Sequence, residues 1–306
     1  MDLQKDKRGF WEQDGRNPLI IAFITVLLIG AIYFVIGSLI ANVYLVIDII
    51  FNINKFASTK NYFDLLKEIY ARYKFPILGV TALCEYIFFL FGTRFVFKKW
   101  HNLDIKKYFF LDRINVPGIL LSVLGVILLL PLAEFASRFF FYFFPQIKDM
   151  AESGNALLTS NNPVELVFLI LLISVTPAIC EEFIFRGYFQ RTLQRKMKEP
   201  FHYFLSGTVF ALFHQNTFGL LALIIVGIYL SFVFYRFSSL YVSMASHFTY
   251  NTLIVLAVNT DFFDIFLNEK KEIGNNVIIV STVLFVAVIF IIFILTRNKA
   301  NKEYVE

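Results

Sequence analysis

The chain has 306 residues, of which 58% are hydrophobic, with a mean hydropathy of +0.67 and a formal net charge of +5. That is more apolar surface than a soluble globular domain buries, and the apolar runs are continuous rather than alternating, which excludes a membrane β-barrel. The positive charge reads as basic loops on one side of a membrane, not as a nucleic-acid footprint.

In chain order, the first 17 residues mix acidic and basic groups, and the apolar run after them is too long for the h-region of a cleavable signal peptide. A span needs about 20 apolar residues. Eight spans are predicted, over 18–47, 76–97, 117–143, 163–190, 201–217, 218–235, 239–258 and 276–296. The first is over-long and holds Asn42 and Asp48, so its lower end is expected to leave the bilayer as an amphipathic helix. The fifth is short of apolar residues and closely coupled to the sixth through Gln215, Asn216 and Gly219. The 39 Phe read as lipid-facing or packing residues. The two cysteines, Cys84 and Cys180, fall inside apolar segments and read as free packing thiols. Cys180 neighbours Glu181, but adjacent helical residues point about 100° apart.

Lys and Arg set the orientation. With the N-terminus in the cytoplasm, the inner segments hold about 17 basic residues and the outer ones about 8. Both termini are therefore expected to be cytoplasmic. The basic 55–74 stretch is the weak point of that assignment.

Ionisable groups at membrane depth are expensive and face a bundle interior or a water-filled cavity. Span four carries Glu181, Glu182 and Arg186, span five His214, and span seven His247 and Asn251. At about 1.5 Å rise per residue, Glu181 lies roughly 21 Å from Arg195, His214 roughly 21 Å from Pro200, and His247 roughly 17 Å from Arg236. Three helices of alternating direction thus bring these groups to a similar depth. Glu182 and Arg186 are i, i+4 and can pair, which leaves Glu181 free to face a cavity. His247 and Asn251 are also i, i+4 and share a face. Pro177 cannot donate a backbone hydrogen bond to Ile173 and is expected to kink the fourth helix there. Glu134 and Arg138 read as a structural pair, and Glu85 and Arg94 have no evident partner in their own helix. Each polar residue alone also reads as an interhelical hydrogen bond, and Glu182 with Arg186 reads equally as a structural ion pair.

These residues form three ordered motifs, Glu181-Glu182-x-x-x-Arg186, Phe210-x-x-x-His214 and His247-x-x-x-Asn251. Together they resemble the CPBP family of intramembrane proteases. That family contains the type II CAAX prenyl endopeptidases (Ras-converting enzyme) and bacterial proteins described as bacteriocin-processing or immunity factors. The resemblance covers about residues 163–257. It divides the chain into an N-terminal membrane region, 1–160, a catalytic core, 161–258, and a C-terminal helix with a cytoplasmic tail, 259–306.

The resemblance implies an all-α polytopic fold of about eight transmembrane helices, with a polar catalytic cavity between helices four, five and seven. It implies a multi-pass protein of the cell membrane that hydrolyses a peptide bond of a membrane-associated peptide or protein. By position, Glu181 would be the general base that activates water, assisted by His214. His247 and Asn251 would stabilise the oxyanion, and Glu182 and Arg186 would support them. No cofactor is favoured. Zinc on Glu181, His214 and His247 stays open, although His-Glu-x-x-His spacing is lacking and Asn is a poor zinc ligand. Two other classes stay open: a proton-coupled transporter, since buried Glu and His also build proton relays, and a non-catalytic membrane scaffold.

Overall fold

Long apolar runs close into helices because a backbone without water must satisfy its own polar groups. The structure, a computed structural model, describes residues 17–51, 62–101, 103–145, 153–214, 219–261 and 273–300. Its long helices follow the expected order: α1 Pro18–Phe51, α2 Tyr62–Trp100, α3 Val116–Phe143 and α4 Pro163–Gln194. They continue as α5 Phe201–Phe213, α6 Leu220–Phe237, α7 Leu240–Asn259 and α8 Asn275–Ala300. A single turn, Ile105–Tyr108, lies between α2 and α3. The fold is an all-α, multi-pass membrane protein.

Among the described residues, six helices are long and apolar enough to cross a membrane. The other two are α5, with 13 residues, and α7, whose 20 residues include Ser243, Ser246, His247, Thr249, Asn251 and Thr252. At about 1.5 Å per residue α5 reaches roughly 20 Å, short of a hydrocarbon core of about 30 Å. A helix of that length starting at the membrane surface ends inside the hydrocarbon core, and the C-cap of α5 is His214. The helix ends at Phe213 and α6 starts at Leu220; the expected end of this span, residues 215–217, lies outside the described residues.

The second helix also departs from expectation. It begins at Tyr62 rather than near residue 76, so much of the basic 55–74 stretch is helix rather than loop. Lys67, Glu68, Arg72 and Lys74 dilute the hydropathy there without interrupting the helix. Lys74 is buried and donates to Glu165 Oε2 at 2.8 Å and to the Thr159 carbonyl at 2.7 Å. The side chains of Asn42 and Asp48, and residues Gln215 and Asn216, lie outside the described residues.

Helix starts are written locally. Asn162 caps α4 by accepting from Glu165 N at 3.0 Å, with Pro163 in the first turn. Asn115 caps α3 in the same way through Gly118 N at 2.9 Å. Helix α3 packs against α6, α7 and α8. Gly125 admits the Tyr229 side chain, whose hydroxyl donates to the Ser122 carbonyl at 2.6 Å. Helices α5 and α6 cross at backbone contact. A Cβ on Gly207 would lie 2.4 Å from Ile228 N, and one on Gly227 would lie 2.6 Å from Gly207 O. Small residues permit such close crossings in membranes, and this one fixes the position of the short helix that ends in His214.

Both ends of the bundle are tied by polar contacts. At one end Asn259 accepts from Ser160 N and Oγ and donates to the Leu158 carbonyl. At the other, Arg236 donates to Thr296 Oγ1 at 2.7 Å, the Phe293 carbonyl at 2.9 Å and Glu199 at 3.4 Å. The basic-residue bias predicts a cytoplasmic Arg236 end. Reporter fusions after Lys198 are expected to read cytoplasmic, and fusions between Gln146 and Asn162 external. Reversed signals at these two places would invert the topology.

Candidate active site

Helix α4 carries most of the polar groups, and it is not a regular α-helix. Two π-helical segments, Leu171–Val175 and Phe183–Gln190, flank the α-helical turn Thr176–Glu182. Such segments re-aim side chains and recur at functional sites. Pro177 sits in the first turn after the upper segment and has no N–H to offer the Ile173 carbonyl. Asn251 of α7 donates its Nδ2 to that carbonyl at 2.9 Å. The interruption in one helix is thus bound by a side chain of another, and this bond sets the orientation of Asn251.

Glu181 and Glu182 have different surroundings. Glu182 is sealed: its side chain and that of Arg186 are both 0% exposed, with Arg186 Nη1 3.1 Å from Glu182 Oε1. The same oxygen accepts from His247 Nδ1 at 2.9 Å. Arg186 also donates to the Gly227 carbonyl at 3.2 Å, and its guanidinium lies 4.2 Å from the centre of the Phe210 ring. The expected i, i+4 pair therefore forms, and it anchors the His247 ring.

Glu181 has no such cation. Its Oε2 has no hydrogen-bond partner and faces His214 Nε2 at 3.6 Å and His247 Nε2 at 3.8 Å. Both separations are too long for a direct hydrogen bond, though catalytic contacts often tighten only around substrate. The other nitrogen of each ring is already engaged, His214 Nδ1 with the Phe210 carbonyl at 2.9 Å and His247 Nδ1 with Glu182. Carbonyl and carboxylate oxygens only accept, so each Nδ1 carries a hydrogen and the Nε2 turned toward Glu181 is the nitrogen left to gain or give a proton. Glu181 and His214 line a cavity of about 200 Å³, walled by Phe185 and Phe213 and reaching Tyr33 and Glu85.

All six residues singled out from the sequence thus lie on α4, on α7 and at the end of α5. Glu181, His214 and His247 meet, while Asn251 is held one helical turn along from His247. Cys180 is a buried free thiol, as is Cys84. Glu134 and Arg138 pair at 3.8 Å, away from this cluster. Arg94 lines a different cavity, with Lys98, His101 and Asp104.

Residues 163–253 match the family described as type II CAAX prenyl endopeptidase Rce1-like. The sequence resemblance therefore holds at the level of the family. The Rce1-like segment runs from the start of α4 into α7 and contains every residue of the cluster. It supports a CAAX-type intramembrane protease, a hydrolase, at family level. No curated protein and no solved structure matches the chain.

Three structural features were not read from the sequence. The acceptors that hold the His214 and Asn251 side chains are backbone carbonyls, of Phe210 and Ile173, and a carbonyl has no sequence signal. Glu85 of α2 shares the cavity with Glu181, and it lies outside the Rce1-like segment.

Proposed function

We propose that the chain is an intramembrane endopeptidase in which Glu181 activates a water molecule against a peptide bond near the membrane. The observation that carries this reading is the meeting of Glu181 Oε2 with two imidazole Nε2 atoms, one from the end of α5 and one from α7, beside a cavity that Glu181 and His214 line. A carboxylate with no guanidinium or ammonium partner, beside two imidazole Nε2 atoms, is suited to take a proton from water. Water oxygen then attacks the carbonyl carbon. The Nε2 of His214 orients the same water.

The oxyanion role of His247 has a protonation requirement. Its Nδ1–H is given to Glu182, so Nε2 donates only from the doubly protonated ring. Asn251 has two N–H groups, and Ile173 takes one. The other is left for the oxyanion. Glu182 and Arg186 act through His247 as positioning residues.

Zinc suits the donor types of Glu181, His214 and His247. Their arrangement suits it less: among the described residues, no three His, Cys, Asp or Glu side chains converge closely enough to hold a metal ion. Purified protein in detergent is expected to keep its activity after exhaustive chelation. Activity that is lost on chelation and returns with zinc would make Glu181, His214 and His247 ligands instead.

The substrate is a membrane-associated peptide or protein, in a multi-pass cell-membrane protein with both termini in the cytoplasm. The test compares the membrane-peptide pool of cells carrying the protein with that of cells carrying Glu181→Ala, alongside cleavage of a prenylated CAAX peptide by purified protein. Fragments that appear only with the unaltered protein support an endopeptidase. Identical pools, with the peptide left intact, would sink the reading.

A further inference from the structure

We infer that Glu85 is a second catalytic carboxyl of this site, the acid that protonates the departing amine. The inference rests on the protease reading above and on observations outside the Rce1-like segment. Glu85 opens the π-helical segment Glu85–Gly92 of α2, and this segment packs against the Thr176–Glu182 turn that carries Glu181. Its side chain lines the same cavity as Glu181 and His214. It is 5% exposed, and its Oε2 is buried with no hydrogen-bond partner.

A buried carboxylate is held by a cation or by several donors, and otherwise it keeps its proton. Lys74, on the same helix, illustrates the first case through its pair with Glu165. Among the described residues Glu85 forms no ion pair, and the nearest acid in its cavity is Glu181, whose charge it feels. Two carboxyl groups that share one small, poorly solvated cavity disfavour a second charge, which favours one charged and one neutral member. Glu181 lies beside two imidazoles, either of which becomes its counter-ion on taking a proton, and is the charged member. Glu85 faces Tyr33 and aromatic walls and is the neutral one. The pair is therefore one base and one acid across a single cavity, which amide hydrolysis requires.

The step balances. Glu181 takes one proton from water as the water oxygen bonds to the carbonyl carbon. When the tetrahedral intermediate collapses, the C–N bond breaks, its electron pair stays on nitrogen, and nitrogen takes the proton of Glu85. Glu85 is left as a carboxylate. The proton held by Glu181 then passes to Glu85, and the pair ends the turnover with the single proton it began with.

The experiment pairs Glu85→Gln and Glu85→Asp with two probes, a prenylated CAAX peptide and its ester analogue at the scissile bond. An ester leaving group departs without prior protonation. Glu85→Gln is therefore expected to lose about 10²–10³-fold in kcat on the amide, with KM held, and far less on the ester. Glu85→Asp is expected to recover part of the amide rate. Equal losses on both probes, or no loss on either, would overturn the assignment. A second measurement does not depend on turnover. The infrared band of a protonated carboxyl is expected in the unaltered protein and in Glu181→Gln, and is expected to be missing in Glu85→Gln. A band that survives Glu85→Gln would place the proton elsewhere. If the unaltered protein cleaves neither probe, the protease reading fails, while the infrared comparison still decides whether Glu85 holds the proton.

Discussion

Glu181→Gln is expected to abolish peptide-bond hydrolysis, with a loss of at least about 10³-fold, while the protein still accumulates in the membrane. The expectation follows from what this carboxylate does not do. It holds no guanidinium, and its Oε2 accepts no hydrogen bond. Gln keeps the volume, so no cavity forms and no partner is stranded. What disappears is the proton acceptor facing His214 and His247 at 3.6 and 3.8 Å. Single-turnover assays in detergent, with thermal unfolding as the control, separate lost chemistry from lost fold. His214→Ala is expected to follow the same pattern. Its side chain is 25% exposed and makes one bond to its own helix, so its removal costs little stability. Cleavage near the unaltered rate by Glu181→Gln would end the glutamate mechanism, and the scaffold or transporter readings would then have to account for the site.

Much of this site was legible in the sequence, because membrane depth is a one-dimensional quantity. Glu181, His214 and His247 lie at comparable distances from basic helix ends, and a straight helix converts residue number into depth. The Glu182–Arg186 pair was legible for a similar reason, since i, i+4 neighbours share a face. What could not be read depends on rotation and on neighbours. The π segments of α4 turn side chains away from the regular 100° step, and hydropathy does not register them. The early start of α2 was hidden because the buried Lys74 has an ion-pair partner, Glu165, on a helix far along the chain. The short α5 was hidden for the opposite reason. Its apolar run continues to Phe213, and the close α5–α6 packing at Gly207 and Gly227 depends on two helices meeting, which hydropathy along one of them does not register. Glu85 was visible as a polar residue in an apolar helix, but its companion in the cavity is Glu181, on α4, and spacing within α2 cannot identify it.

Arg186→Met is expected to be the most destabilising single change at the site. Arg186 and Glu182 are both fully buried, and removing one partner of a buried ion pair costs about 3–5 kcal/mol, because the other charge is left behind. Here the stranded group is Glu182, with Oε1 bound to His247 Nδ1 and Oε2 without a partner. The guanidinium also packs on Phe210 and donates to the Gly227 carbonyl, so its loss loosens α4 from α5 and α6 together. Arg186→Met should therefore unfold at a clearly lower temperature in detergent and accumulate poorly. Pairing it with Glu182→Gln removes the stranded charge, and the double variant should recover much of that loss. The Gln amide oxygen can still accept from His247 Nδ1, but without charge to hold the ring. Groups that orient an active imidazole are worth about 10–100-fold, so the recovered double variant should fold and turn over more slowly by that factor. Unfolding temperatures for the four members of the cycle give the coupling between the two residues. Full stability of Arg186→Met alone would mean that Glu182 carries no charge in the folded protein, and His247 would then lack the carboxylate that its role as an oxyanion donor requires.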